Sequence, residues 1–235
     1  MTRRRWIADE VHGNTATLTG SHAAHLACAL RAEVGQEFDI ATGDSVRCGK
    51  IIAVSADRVV FALGEAQAVQ AAPRVTLILA IFKFDRMEWA IEKCTEIGVA
   101  RIVPLIASRT DAHLAAAAAK RCERWQRIAV QAAEQSRRIA PPEITSPLKL
   151  KELAKLSANC CIVLSESEQQ LPMREAIPPQ AAETALAVGP EGGWTEDELE
   201  WFREAGWTAV SLGATILRAE TAAIVAVALA LDTLA

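Results

Sequence analysis

A glycine-rich turn carries the clearest chemical signal in this sequence. Gly189–Gly193 reads Gly-Pro-Glu-Gly-Gly and follows an apolar run. Glycine allows sharp bends and lets a ligand approach the main chain closely. Thr195 followed by Glu198 is a capping-box pattern and predicts a helix directly after the turn. The turn matches neither GxGxxG nor a Walker loop, which disfavours a dinucleotide or ATP site. A tight strand-to-helix turn without a ligand would look the same.

A second segment near the C-terminus places two charged residues at a helix start. Leu212–Ala222 has a strand end at Gly213, a short loop, and then Arg218 and Glu220 beside the expected helix. A negative charge in the first turn suits the helix dipole. Taken alone, the arginine and the glutamate are explained most simply as a local ion pair.

Charge and cysteine usage limit the kind of protein. The net charge is −4, but residues 101–138 carry eight Lys/Arg against three Asp/Glu, and 139–235 carry six against fourteen. A basic middle and the cluster Arg3–Arg5 are compatible with phosphate contacts, or with an ordinary solvated face. The six cysteines form no CxxC pair and the four histidines are scattered. We therefore predict no metal site and reduced cysteines in a cytoplasmic protein.

No segment has the features needed to insert into a membrane. The basic N-terminus is followed by no apolar h-region, so a signal peptide is not expected. The longest apolar run, Ala222–Leu231, is too short to span a bilayer and predicts a buried helix.

The pattern of elements predicts two domains, divided at 72/73. Residues 1–72 show short strands separated by turns, which predicts a small β-barrel, with a linker at Ala66–Pro73. Residues 73–235 alternate buried strands with helices, which predicts an α/β domain with a parallel sheet. The predicted strands are Thr15–Leu18, Glu37–Ala41, Ser45–Val54, Arg58–Leu63, Val75–Phe82, Arg101–Ile106, Cys160–Leu164, Ala185–Val188 and Ala209–Leu212.

Helices are predicted where apolar periodicity is bounded by start and stop signals. The first has Ser21 as its N-cap, and the second stops at Gly98. Their ranges are His22–Arg31, Asp85–Ile97, Ala115–Arg138, Thr195–Ala205 and Glu220–Leu234.

Together the two glycine-bearing segments resemble the SPOUT methyltransferases. That resemblance implies a C-terminal domain with a deep trefoil knot, a rare exception to the rule that chains do not thread loops. It also implies S-adenosyl-L-methionine bound in a bent conformation among three knot loops. The implied cofactor-binding residues are Leu164, Ser165, Glu166, Gly189, Pro190, Glu191, Gly193, Leu212, Gly213, Ile216, Leu217 and Arg218.

Further motifs narrow the resemblance to the RsmE family. Lys83–Val99 is similar to the family segment KxDRxExxIxKxTELGV, and Arg124-Trp125 with Ala132–Arg138 is similar to its RWxRI…AAEQSxR helix. Arg3–Trp6 and the His25–Arg31 region are similar to its PUA-like RNA-binding barrel. The likeness covers nearly the whole chain. Cys28-Ala29, Ser108-Arg109-Thr110 and Ile97 depart mildly from the pattern.

The RsmE resemblance implies methylation of uracil N3 in 16S ribosomal RNA, as naked RNA or an assembled small subunit, by a homodimer. Candidate catalytic residues are Arg218, which would stabilise developing charge, and Glu191 or Glu220 as a general base. Stacking on the base would fall to Phe82, Phe84, Trp89 or Trp194, each more typical of a core. The RNA-binding candidates are Arg3, Arg4, Arg5, Arg31, Lys83, Arg86, Arg109, Arg137 and Arg138.

Two alternatives stay open. One is a SPOUT methyltransferase that acts on a ribose 2′-oxygen or on another RNA base. The other is a non-catalytic RNA-binding protein of ribosome assembly. The segments Lys83–Val99 and Arg124–Arg138 argue against the first, and the complete glycine-bearing segments argue against the second.

Overall fold

The computed structural model describes residues 5–43, 45–67, 74–156, 158–168 and 171–234. Its backbone contacts divide the chain into two compact units: 1–71 with 133–141, and 72–132 with 142–235. The first unit therefore includes a short segment from the middle of the chain. The division predicted at 72/73 falls outside the described residues, as do Arg3, Arg4 and most of the predicted linker.

The first unit contains a curled six-stranded sheet. Its strand order is β1-β4-β5-β6-β3-β2, and the edge strands β1 and β2 are separated in the chain by only Ala8 and Asp9. Because two residues connect opposite edges, the sheet must curve back on itself. Its core includes Trp6, Leu18 and Phe61. The strands are β1 Arg5–Ile7, β2 Glu10–His12, β3 Thr15–Thr19, β4 Glu37–Ala41, β5 Val46–Val54 and β6 Arg58–Gln67.

The helix of this unit differs from the prediction. It is an α-helix, α1, at Gly20–Ala24, continued by a π-helical turn at His25–Ala29. Ser21 lies inside α1, and Thr19 occupies the N-cap without a side-chain cap bond. The Thr19 amide and hydroxyl instead donate to Asp9 Oδ2 at 2.7 and 3.4 Å. The predicted N-cap was therefore wrong, because Asp9 from a distant turn binds this position.

The second unit is built on a parallel sheet, as predicted. The strand order is β10-β8-β7-β12-β11-β13, with β9 paired to β8, and each of these pairs is parallel. Short strands and helices that periodicity did not reveal complete this unit. The strands are β7 Arg74–Ala80, β8 Arg101–Ile106, β9 Glu143–Ile144, β10 Leu148–Lys149, β11 Cys160–Leu164, β12 Glu183–Val188 and β13 Thr208–Val210.

Helices cover the sheet and bury its central strands. A core cluster packs the helix Phe84–Ile97 and the C-terminal helix against the sheet through residues such as Met87, Ile91 and Val227. A second cluster holds Trp194, Phe202 and Trp207. The helices are α2 Phe84–Ile97, α3 Ala112–Gln135, α4 Met173–Ala176, α5 Glu196–Glu204 and α6 Ala219–Leu234, with a 3₁₀ helix at Leu150–Lys155.

Both ends of α3 lie earlier than predicted. Asp111 Oδ1 accepts from the amides of His113 at 2.8 Å and Leu114 at 3.3 Å, which starts the helix. Arg137 has a φ of 58°, and the amides of Arg137 and Arg138 donate back to Glu134 and Ala133. This is the Schellman arrangement with arginine where glycine is usual, so the sequence signal was absent.

The chain passes on both sides of β13. β11 pairs with β13 on one side, and on the other side Pro172 forms a parallel bridge to Ser211. The Met173 amide donates to Ser211 O at 3.1 Å, and the Ser211 amide donates to Leu171 O at 3.0 Å. The connection that leaves β11 therefore crosses to the outer side of β13 before it reaches β12.

The described ranges contain neither a candidate membrane helix nor a candidate metal cluster. Among these residues, no helix has the length and apolar character to cross a bilayer. No cluster of three or more His, Cys, Asp or Glu in the same ranges could hold a metal ion. The six cysteines are free, and burial raises the pKa of the Cys94 thiol to about 12.

Candidate active site

Three loops of the second unit meet around one open cleft of about 1170 Å³. They follow the carboxyl ends of β11, β12 and β13, which are neighbours in the parallel sheet. Clefts at this end of parallel strands are the usual ligand sites of open α/β sheets. The cleft exceeds the range of about 300–1,000 Å³ that is typical for small-molecule pockets.

All the residues predicted to bind the cofactor line this cleft. Three segments of the chain are thereby brought together, and the first and the last of them lie more than forty residues apart. Their assignment to a cofactor stays a prediction. They are Leu164, Ser165 and Glu166, then Gly189, Pro190, Glu191 and Gly193, and finally Leu212, Gly213, Ile216, Leu217 and Arg218.

The glycine-rich turn is held in a defined conformation. The Gly193 amide donates to Pro190 O at 2.8 Å, and Trp194 Nε1 donates to Leu164 O at 3.0 Å. The capping box is confirmed, because Thr195 Oγ1 accepts from the Glu198 amide and Glu198 Oε2 accepts from the Thr195 amide. The protein's own hydrogen bonds therefore hold this turn in place without a ligand.

One position of this turn favours glycine. Gly193 has a φ of 70°, and a Cβ there would lie 3.1 Å from Glu166 Oε1. Gly192, next to it, has ordinary backbone angles, and its nearest contact would be Arg109 Cδ at 3.4 Å. A side chain at Gly193 would combine strained backbone with crowding against the facing loop.

An arginine and two glutamates form an ion-pair group at one wall of the cleft. Arg86 Nη1 lies 3.1 Å from Glu191 Oε1 and 3.7 Å from Glu220 Oε1. Glu191 and Arg86 line the cleft, whereas Glu220 does not. The Glu220 side chain is 7% exposed, and its Oε2 has no hydrogen-bond partner among the described residues. Arg86, assigned above to RNA, is here an ion-pair partner of two candidate catalytic carboxylates.

Two further arginines line the cleft in different ways. Arg109 Nη1 donates to the carbonyls of Gly192 and Trp194. Arg218 is exposed, and within the described ranges its guanidinium has neither a hydrogen-bond nor an ion-pair partner. Arg218 is therefore fully available to a ligand, whereas Arg109 already donates through Nη1 to two main-chain carbonyls.

Comparisons with known proteins identify the family of this site. A family model described as an RNA methyltransferase domain matches residues 70–231. Ribosomal RNA small subunit methyltransferase E of Bacillus subtilis is 30% identical over 225 residues, which cover 90% of this chain and 88% of that protein. The chain belongs to this methyltransferase family.

Other relatives agree with that membership. The protein of the same name from Mesomycoplasma hyopneumoniae is 35% identical over 64% of this chain and 66% of its own length. Matches to three such curated relatives span between 52% and 66% of their lengths. A crystal structure of the Neisseria gonorrhoeae enzyme bound to S-adenosyl methionine superposes with a TM-score of 0.83 at 28% identity. It covers 97% of this chain and 96% of that one.

The remaining RNA-binding candidates among the described residues lie outside the cleft lining. In the first unit, Arg5 Nη1 donates to the carbonyl of Arg137, so Arg5 holds the segment that carries Arg137 and Arg138. Arg137 is exposed, whereas Arg138 is half-buried, and burial lowers its pKa. Arg31 is exposed with a φ of 52°. Lys83, in the second unit, is exposed at the start of α2.

The aromatic candidates for base stacking divide by exposure. Phe82 is buried, and Phe84 packs against Trp125 with ring centroids 5.9 Å apart. Trp194 is 8% exposed but lines the cleft, and Trp89 is 46% exposed on α2. Of these four described aromatic residues, only Trp194 lines the cleft.

Sequence reasoning missed several lining residues. Pro172 and Ser211 reach the cleft because their segments pair beside β13, and Leu199 reaches it from α5. Only their place next to predicted loops could have suggested them. The contacts that bring them there are long-range and leave no local pattern.

Proposed function

We propose that this chain transfers a methyl group from S-adenosyl-L-methionine to N3 of a uridine in 16S ribosomal RNA. The observation that carries the proposal is the convergence of three loops, which are distant in sequence, around one cleft. Membership of the ribosomal RNA small subunit methyltransferase E family supports the reaction class and the substrate class.

The cleft residues suit the proposed cofactor. Exposed main chain at the glycine-rich turn can read the donor and acceptor edges of adenine, and a side chain at Gly193 would narrow this space. The lining also carries the carboxylates of Glu166, Glu168, Glu191 and Glu196, whose negative charge suits a sulfonium and an ammonium group. The bound Neisseria gonorrhoeae relative supports the same cofactor. When bound, the cofactor supplies an electrophilic methyl group.

Among the candidate catalytic groups, Arg218 is best suited to stabilise charge. Uracil N3 carries a proton at neutral pH, and its loss places negative charge on the ring oxygens. The unpaired guanidinium of Arg218 can donate hydrogen bonds to such an oxygen without first breaking a contact. Arg86 and Arg109 are each already engaged through Nη1 with partners inside the protein.

Glu191 is the better placed of the two candidate bases. It lines the cleft, whereas Glu220 is buried behind Arg86 and does not. A base must come within hydrogen-bond reach of the proton it removes, which favours Glu191 for the N3 proton. Glu220 then serves to hold Arg86 at the wall of the cleft.

The RNA must present its base outside a helix. Pairing and stacking hide N3, so the target uridine must be unpaired or flipped. Arg137, exposed in the first unit, and Lys83, exposed in the second, are the best candidates for phosphate contacts. The substrate is 16S rRNA or the assembled small subunit, and the enzyme would act in the cytoplasm.

The architecture is proposed in finer terms as well. The path of the chain around β13 supports a SPOUT domain with a trefoil knot, because one connection surrounds the strand that leads into α6. The curvature imposed by the two-residue link between β1 and β2 supports a PUA-like barrel.

We also propose a homodimer. The apolar faces of α2 and α6 largely pack on each other, so only their partly exposed residues, such as Trp89, remain for that interface.

The deciding experiment is nucleoside mapping of small-subunit RNA from cells that lack the gene. We expect 3-methyluridine to disappear, and to return with a plasmid-borne wild-type gene but not with Arg218→Ala. If 3-methyluridine persists and a 2′-O-methylated nucleoside is lost instead, the ribose alternative is correct. If no modification changes and the purified chain does not bind the cofactor, the protein is a non-catalytic RNA binder.

A further inference from the structure

We infer that Arg109 is a positioning residue for the glycine-rich turn Gly189–Trp194 and not a phosphate contact. This inference deepens the proposed function, since it rests on that turn binding the cofactor. Arg109 belongs to the loop Ala107–Thr110, which follows β8 and which we call the bracing loop. Neither the local sequence nor the family resemblance assigned this loop to the cofactor site.

One nitrogen of the exposed Arg109 guanidinium is bonded to the main chain of the turn. Nη1 donates to the carbonyl of Gly192 and, at 3.2 Å, to that of Trp194. These two carbonyls flank Gly193, the position with left-handed backbone. A single guanidinium nitrogen therefore ties together both ends of the strained residue. Hydrogen bonds from a charged donor are stronger than neutral ones, so this tie contributes more than an ordinary loop contact.

A second contact from the same loop fixes the start of α5. The Ser108 amide donates to Glu198 Oε1 at 2.7 Å, while the other oxygen of Glu198 closes the capping box with Thr195. Glu198 is 3% exposed, so both its oxygens are satisfied inside the protein. The bracing loop thus holds the turn at its glycines through Arg109 and at its helical end through Glu198.

The bracing loop is itself anchored to the sheet. Thr110 Oγ1 donates to Ile81 O at 3.2 Å and accepts from the Ala107 amide at 3.1 Å. Ile81 directly follows β7 and is fully buried. The bracing loop is thus bonded to the central sheet through Thr110 and to the turn through Arg109, so it fixes the position of the turn relative to the sheet. An arginine used in this way has less of its donor fork free for a phosphate.

The test compares Arg109→Ala, Arg109→Lys and Arg203→Ala in the full chain. Arg203 is a matched control because it is an exposed arginine of the same unit that does not line the cleft. By calorimetry with S-adenosylmethionine, we expect Arg109→Ala to raise Kd by about tenfold, the effect of losing a charged hydrogen bond. The Kd of Arg109→Lys should lie between those of wild type and Arg109→Ala, because an ammonium keeps a charged donor but does not occupy the position of Nη1. Arg203→Ala should match wild type.

Three readouts separate positioning from a phosphate contact. Arg109→Ala should raise KM for the cofactor and leave kcat within about twofold. The slope of RNA affinity against salt should stay unchanged, whereas loss of a phosphate contact would reduce it by about one. Without any ligand, hydrogen exchange at Gly192–Thr195 should quicken in Arg109→Ala.

Opposite results overturn the inference. Unchanged exchange at Gly192–Thr195 in Arg109→Ala would show that the arginine does not brace the turn. Wild-type cofactor affinity together with a reduced salt slope would make Arg109 a phosphate contact. If the wild-type chain itself fails to bind the cofactor, the proposed function fails, while the exchange result still decides whether Arg109 braces the turn.

Discussion

Two loops of the same cleft are built in opposite ways. The turn Gly189–Trp194 is tied to Leu164, to Arg109 and to the capping box of α5. The loop Ser211–Arg218 has side-chain hydrogen bonds only between Ser211 and Gly213 within the described ranges, at 3.1 Å. Its Ile216 side chain is 79% exposed.

The turn Gly189–Trp194 is therefore a preformed wall of the cleft, and the loop Ser211–Arg218 is an adaptable one. A braced turn loses little further conformational entropy when a ligand binds, so little of the binding free energy of its contacts is offset. The other loop exposes an apolar side chain and the unpaired Arg218, and under the proposed function it would gain partners from the cofactor and the base. In this account the braced turn sets cofactor affinity, and the adaptable loop completes the reaction site. The following substitutions test that division of roles.

The largest effect is expected at Arg218, in the adaptable loop. Arg218→Ala should lower kcat by about 100-fold or more, because a charge-stabilising donor is removed, while cofactor Kd changes little. Single-turnover methylation with saturating cofactor measures this. Arg218→Lys, which keeps the charge without the planar fork, should recover part of the rate. A loss confined to cofactor Kd would contradict the assigned role.

The next effect is expected at Gly193, in the braced turn. Gly193→Ala should raise cofactor Kd by about tenfold. An alanine at this φ costs on the order of 1–2 kcal/mol, so the free turn relaxes to another conformation and must be restored when the cofactor binds. Crowding against Glu166 adds to that cost. The neighbouring Gly192→Ala is the control, because its backbone is unstrained and its closest contact is 3.4 Å. Equal calorimetric losses in both variants would argue against a strained, braced turn.

A smaller effect is expected at Trp194, which links the braced turn to β11. Trp194→Phe keeps the aromatic packing against Phe202 but removes the 3.0 Å bond from Nε1 to Leu164 O. The buried carbonyl then loses its donor, so the free energy of unfolding should fall by about 1 kcal/mol. Urea denaturation measures the difference. A variant as stable as wild type would show that this link is not a brace.

The smallest effect is expected at Ser211, in the adaptable loop. Ser211→Ala removes its two hydrogen bonds with Gly213. Because this loop is largely exposed, the free energy of unfolding should change by no more than about 0.5 kcal/mol. The same denaturation series provides the value. A loss as large as that of Trp194→Phe would erase the contrast between the two loops.

Features set by local rules could be predicted from the sequence. β8 and β11 have the predicted bounds, because short apolar runs of this kind are typical of buried parallel strands. The Thr195–Glu198 capping box formed as its spacing indicates. The cofactor-binding candidates that line the cleft were also predicted from local motifs. Two of these motifs together resemble one family, and that resemblance indicated the residues.

Features set by distant contacts could not be predicted. The two-residue strands β9 and β10 are too short for a periodic signal. The end of α3 depends on an arginine in a conformation that usually requires glycine. The partners of Arg86 and Arg109 lie more than eighty residues away, so the sequence did not reveal these internal contacts. The assignment of both arginines to RNA stays a prediction.

The central claim is that one cleft binds the cofactor between a preformed and an adaptable wall. Hydrogen exchange of the wild-type chain with and without S-adenosylmethionine tests it most directly. We predict strong new protection at Ala214–Arg218 on binding and little change at Gly193 and Thr195, whose amides already donate to Pro190 O and Glu198 Oε2. Equal protection of both loops would contradict the division of roles, and no protection at either would contradict the cleft as the cofactor site.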